Sequence, residues 1–183
     1  LTASSDETII LWDIETAQII QQYDDEKSSI LSVAFNPAGD WFVSGPVNGT
    51  VVLWNIEDGE VLRRFNGHVG AVSGVAFGPD GNLIITGGQD DSLRVWDVNT
   101  GLEVRRYDVE TPIQSLDVTD NGRTVLTGLN DASLSTWRIL IDINDLIEWV
   151  YLNRFVDIPT CNERDLFRLT PCDAENNPPS ATP

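Results

Sequence analysis

Residues 67–97 read GHVGAVSGVAFGPDGNLIITGGQDDSLRVWD. Within them VAF, LIIT and LRVW are short apolar runs rich in β-branched residues, a composition that suits a pleated, half-buried strand. Gly78-Pro79-Asp80-Gly81 separates the first two, because proline fixes φ and glycine accepts positive φ in a tight turn. Asn99-Thr100-Gly101 follows the third run and closes it into another hairpin.

The same phrase recurs on both sides. DETIILWDIETAQII, NGTVVLWNIEDGEVL, DDSLRVWDVNTGLEV and DASLSTWRIL align on Trp12, Trp54, Trp96 and Trp137, which stand 42, 42 and 41 residues apart. ILSVAFNPAGDWFVSG, AVSGVAFGPDGNLIITGG and PIQSLDVTDNGRTVLTG precede the last three. Ten residues before each tryptophan stands a small hydroxyl: Thr2, Ser44, Thr86 or Thr127. Six before it stands Asp6, Asn48, Asp90 or Asp131, and four before it Thr8, Thr50, Ser92 or Ser133. A fixed period of this length marks units that bury their faces on one another. Four short strands per unit make the blade of a β-propeller.

With GHVGAVSGVAF followed by TGGQDDSLRVWD, residues 1–140 resemble the WD-repeat (WD40) family. The resemblance implies an all-β partial WD40 β-propeller: about three and a half four-stranded blades in an open arc, then a short helical C-terminal extension. The expected units are a partial blade at 1–23, blades at 24–65 and 66–108, and a three-stranded last blade at 109–140. The family also implies a buried hydrogen-bond tetrad, carried here by His68, Thr86, Asp90 and Trp96. Glu26 and Val109 stand at the histidine's position in the neighbouring blades, and Asn48 and Arg138 depart from the pattern too. Those blades are expected to rely more on apolar packing. The sequence reads as the C-terminal part of a longer ring, seven-bladed by resemblance, whose missing N-terminal blades would be needed for closure.

After residue 140 the period changes. Ile143, Leu146, Ile147 and Val150 fall at helical spacing with Asp142 as N-cap, and Thr160 with Glu163 forms a capping box after Pro159. Residues 141–171 are therefore expected to be a helical extension, and the Pro- and Ser-rich residues 172–183 a disordered tail. The stretch WVYLNRFVDIPTCNERDLFRLTPC, residues 149–172, resembles the C-terminal extension of some bacterial WD-repeat proteins of multidomain signalling or conflict systems. Cys161 and Cys172 either pair or serve as two small buried hydrophobes; two thiols without a nearby histidine fall short of a four-ligand metal site.

The chain has 29 acidic against 11 basic residues, a formal net charge of -18. Such a surface repels phosphate backbones, so neither nucleic acid nor an anionic membrane is an expected partner. No apolar run approaches the ~20 residues of a membrane-spanning helix. His68 with Ser73 or Thr86 and Asp90 supplies the residue types of a hydrolase triad. Yet the hydroxyl and the acid recur in units without histidine, and no G-x-S-x-G elbow is present, so structural use is expected. Asp24-Asp25-Glu26 lacks the alternating ligand pattern of a calcium loop, and Gly87-Gly88 lacks the Lys of a phosphate loop. No catalytic residue, cofactor or metal is expected in this segment.

The expected function is a non-catalytic scaffold or sensor that binds proteins. Loops at 24–29, 66–70 and 108–111, with those at 45–49, 88–91 and 128–132, are expected to share one ring face. They gather Asp24, Asp25, Glu26, Asp90, Asp91, Asp108 and Glu110, an acidic rim suited to a basic protein partner. The alternative is the regulatory end of a multidomain bacterial signalling protein, a Ser/Thr kinase or STAND-type NTPase, with its chemistry upstream.

Overall fold

The computed structural model describes residues 1–24, 27–119 and 121–139. The expected helical extension and tail, with both cysteines, lie outside the described residues. Residues 1–139 form one compact unit. They fold into strands joined by tight turns and arranged in four antiparallel sheets.

Sheet A contains β1 (Thr2–Ala3), β2 (Ile9–Asp13) and β3 (Gln18–Tyr23). Sheet B contains β4 (Ile30–Phe35), β5 (Trp41–Pro46), β6 (Val51–Asn55) and β7 (Val61–Phe65). Sheet C contains β8 (Val72–Phe77), β9 (Leu83–Gly88), β10 (Ser92–Asp97) and β11 (Glu103–Asp108). Sheet D contains β12 (Ile113–Val118), β13 (Thr124–Leu129) and β14 (Leu134–Arg138). Each sheet is a meander in which consecutive strands pair.

Sheets B and C are covered on both faces, and their strands show it. In β6 (VVLWN) the first four residues are buried, and in β10 (SLRVWD) the first five. Strands covered on two sides read as continuous apolar runs rather than alternating ones. In β13 and β14 of sheet D, covered on one side among the described residues, buried or half-buried positions mix with exposed ones.

Three apolar clusters join the sheets in sequence. Ile9 and Tyr23 of sheet A pack with Phe42, Val52 and Trp54 of sheet B. Val43, Val51 and Leu53 of sheet B pack with Ile84 and Trp96 of sheet C. Ile85, Leu93 and Val95 of sheet C pack with Ile113 and Val125 of sheet D. The inner strands β4, β8 and β12 lie side by side, and glycine lets them approach. A Cβ on Gly45 would lie 2.9 Å from Val75 Cγ1, and one on Gly87 2.7 Å from Ile113 Cγ2. β8 and β12 therefore each sit in a seat that the preceding sheet keeps free of side chains.

The tryptophan strand and the outer strand pair with a bulge at the tryptophan in three sheets: between Leu11/Trp12, Leu53/Trp54 and Val95/Trp96. The residues left over on the outer strand are Ile20, Leu62 and Val104, all exposed. A bulge of this kind raises the local twist and re-aims a side chain.

Candidate functional site

The four residues of the expected tetrad meet inside sheet C. Trp96, on β10, donates its indole N–H to Thr86 Oγ1, on β9, at 2.8 Å. Thr86 Oγ1 lies 2.7 Å from His68 Nε2, and His68 Nδ1 lies 2.8 Å from Asp90 Oδ1. An ionised carboxylate only accepts, so Nδ1 carries the histidine proton and the Thr86 hydroxyl donates to Nε2. Every member is then satisfied in one direction, from indole to carboxylate. Burial pushes the His68 imidazole below its ordinary value, outweighing the attraction of Asp90. Burial alone would raise the Asp90 carboxyl, but hydrogen bonds from His68, Ser92 and the Val69 N–H together hold it far below the usual carboxylate range.

The network is larger than the tetrad. Arg94 is buried, and its guanidinium reaches Asp90 Oδ2 at 3.1 Å and Glu103 Oε2 at 2.7 Å. Its Nε donates to Ser92 Oγ at 3.0 Å, and Ser92 in turn donates to Asp90 Oδ1 at 2.7 Å. The sequence held one signal for Arg94. Two residues before their tryptophans the other units carry Ile10, Val52 and Ser135, so a charge there breaks the repeat.

In the other sheets the network shrinks to its hydroxyl–indole step. Trp12 donates to Thr2 at 2.8 Å, Trp54 to Ser44 at 3.0 Å and Trp137 to Thr127 at 2.9 Å. Apolar packing is therefore joined by one polar contact in every sheet. Val109, at the histidine's position before sheet D, is buried in the cluster with Ile113 and Val125. In sheet B, Ser28 is buried and accepts the Asn48 N–H at 3.1 Å, so the loop before that sheet is tied by a residue the repeat does not flag. Asp6 and Asp131 accept from the backbone and hydroxyl of Thr8 and Ser133, closing the turn before the tryptophan strand. Those hydrogen bonds lower both carboxyl pKa values.

At one end of sheets B, C and D the chain entering the sheet meets the turn before its tryptophan strand. Val47 N–H donates to Ser29 O, Gln89 N–H to Ala71 O, and Asn130 N–H to Pro112 O. Val109 N–H donates to Asp91 O, linking the loop after β11 to the turn before β10. At this end Asp24, Asp91, Asp108 and Glu110 are exposed. Asp90 is not: its two oxygens are taken by His68, Ser92, Val69 and Arg94, and it faces inward rather than toward a partner. Asp25 and Glu26 lie outside the described residues. Asp108 accepts from Arg106 Nε at 2.9 Å, an exposed pair that leaves its charge only partly balanced.

Ser73 takes no part in the histidine network. Its hydroxyl turns to the carbonyls of Gly87 and Ile113. At the opposite end of sheets B and C lies an open cleft of about 240 Å³, lined by Asn36, Pro37, Asp40, Trp41, Asp80 and Asn82 among others. Its polar groups serve their own turns. Asn36 Oδ1 accepts from the N–H groups of Gly39, Asp40 and Trp41, and Asp80 accepts from Asn82.

The family model described as WD domain, G-beta repeat, matches residues 17–55 and 59–97. No curated protein matches the chain. Each matched unit runs from the outer strand of one sheet, β3 or β7, through the first three strands of the next. The sequence repeat and the sheet are thus out of phase, and every unit spans a junction between sheets. Sheet D lies beyond the matched residues yet repeats the tryptophan–hydroxyl contact in Trp137 and Thr127. On its matched repeats, its antiparallel sheets and that recurring contact, the chain carries WD40 repeats over residues 17–55 and 59–97, and sheet D continues their pattern.

Proposed function

We propose that this chain is a protein-interaction scaffold that binds partners and does not catalyse. WD40 repeats suggest such a role. The catalytic-looking groups are committed elsewhere: Thr86 is fully buried between His68 and Trp96, where no substrate reaches it.

The observation that carries the finer reading is the pairing of loops at one end of sheets B, C and D, where Asp24, Asp91, Asp108 and Glu110 are exposed. Fixed carboxylates favour a partner with a basic surface, and they steer its approach more than they add affinity. Association should weaken as salt rises, because exposed charges are screened over about 8 Å at physiological ionic strength. The test compares the chain with a variant carrying Asp24→Asn, Asp91→Asn, Asp108→Asn and Glu110→Gln. Proteins retained by the wild type at low salt and released at high salt should be lost from the variant. Retention of the same proteins by both would refute the acidic-end reading.

A further inference from the structure

Among the described residues Asn-Gly occurs at Asn48-Gly49, Asn66-Gly67 and Asn121-Gly122. The dipeptide carries a reaction of its own. The backbone nitrogen of the second residue attacks the asparagine Cγ, and glycine leaves that approach clear of a side chain. The new C–N bond closes a succinimide ring. The side-chain nitrogen leaves as ammonia, taking the proton that the backbone nitrogen gave up. Water then opens the ring at either carbonyl, which gives aspartate or isoaspartate.

The fold holds these sites differently. Asn48 Oδ1 accepts the Thr50 N–H at 2.9 Å, and Gly49 is buried with its N–H given to Pro46 O at 3.3 Å. Asn121 Oδ1 accepts the Arg123 N–H at 3.0 Å and the Thr119 hydroxyl at 2.7 Å. Gly122 is buried, and its N–H donates to Thr119 O at 2.7 Å. An asparagine bonded to the N–H two residues on is locked into a local turn, and a nitrogen that is buried and donating is a poor nucleophile. Asn66 has neither restraint. Its Oδ1 accepts the Thr50 hydroxyl at 3.2 Å, long for a bond between oxygens. Asn66 and Gly67 are both exposed, and the Gly67 N–H donates to nothing among the described residues.

We propose that Asn66 is a site of spontaneous deamidation, selected over Asn48 and Asn121 by the free carbonyl and the free, solvent-exposed Gly67 nitrogen. The product matters because of what adjoins it. Gly67 lies against the buried network: a Cβ there would stand 2.7 Å from Arg94 Nη1 and 2.8 Å from Trp96 Cη2. His68 follows it, and the next N–H, of Val69, is held by Asp90 Oδ2 at 3.1 Å. Aspartate keeps the main chain as it is and adds a negative charge to an exposed loop. Isoaspartate instead routes the main chain through the side-chain methylene, so Gly67 and His68 must shift where close packing leaves no room. The isoaspartyl form is therefore the less stable of the two products.

Ageing the full chain in mildly alkaline buffer tests this, because the attacking nitrogen must first lose its proton. Cleavage after lysine and arginine places Asn48, Asn66 and Asn121 on different peptides, and tandem mass spectrometry follows the conversion of each residue. While far-UV circular dichroism shows the protein folded, Asn66 should react several-fold faster than Asn48 or Asn121. In urea the differences should shrink, since the dipeptide is then the same at each site. Asn66→Gln should remove the fast reaction. Asn66→Asp should unfold at the wild-type temperature, whereas aged wild type should gain a second transition at lower temperature. Asn48 or Asn121 reacting as fast as Asn66 in the folded protein overturns the proposal, as does an unchanged order and spread of rates in urea. A fully converted protein that keeps a single transition at the original temperature overturns the isoaspartyl consequence.

Discussion

Arg94 Nη2 lies 3.1 Å from Asp90 Oδ2, and both side chains are shielded from water. The pair links the tetrad to Glu103 on the outer strand, so one sheet is cross-tied by charge as well as by apolar contact. Removing one member of a buried ion pair strands the other, typically at about 3–5 kcal/mol. Arg94→Met should therefore lower stability by about 3 kcal/mol, since His68 still partners Asp90. Urea unfolding of the two proteins measures this, and a double-mutant cycle with Asp90→Asn should show strong coupling.

The protonation of His68 gives a pH dependence of known sign. Its folded pKa lies below the ordinary 6.5, so the unfolded chain binds the extra proton more readily. The stabilisation it contributes is complete above pH ~6.5 and is lost as pH falls below that value. Asp90 adds a second loss at lower pH, below the ordinary carboxylate value of 3.8, because its folded pKa is also depressed. Thermal denaturation between pH 8 and 3 should show both steps. His68→Gln should remove the step near pH ~6.5 and keep an acid limb. A wild-type Tm unchanged across the first step would contradict the buried neutral imidazole.

The tryptophans are equivalent in sequence and unequal in burial. Trp54 packs against Phe42 with ring centroids 5.7 Å apart and loses its Ser44 bond if removed. Trp54→Ala should cost about 4 kcal/mol. Trp12→Ala should cost less than half of that, because sheet A leaves its indole partly open. Equal losses in denaturant unfolding would mean that Trp12 is covered in solution.

One turn position has positive φ in all four sheets: Glu7 at 73°, Gly49 at 85°, Asp91 at 55° and Ala132 at 66°. A left-handed conformation costs an L-residue roughly 1–2 kcal/mol, and glycine avoids most of it. Ala132→Gly should accordingly stabilise the protein, by about 1 kcal/mol. Gly49→Ala should destabilise it more strongly, since the added Cβ would lie 2.7 Å from His68 O. Calorimetry of the two variants should give shifts of opposite sign.

The period, the four tryptophans and their hydroxyl partners were legible in the sequence, because each unit solves the same local problem with the same residue types. The tetrad of His68, Thr86, Asp90 and Trp96 was legible only through the family resemblance, because no other unit carries a histidine at that offset. Asp90 was read both ways, as a buried tetrad member and as part of an exposed rim. Its neighbours in sequence, Asp91 and the acidic residues of other loops, suggest an exposed rim, whereas the approach of His68 and Arg94 turns it inward.

Local sequence by itself determined the strands, the turns and which side of each strand is apolar, since these depend on residues within one repeat. Only the tertiary structure decided which of those apolar sides is buried. Leu134 and Leu93 hold the same repeat position, yet one is exposed and the other covered. A sheet stands opposite Leu93 and, among the described residues, none stands opposite Leu134, a property of stacking that no residue within the repeat encodes.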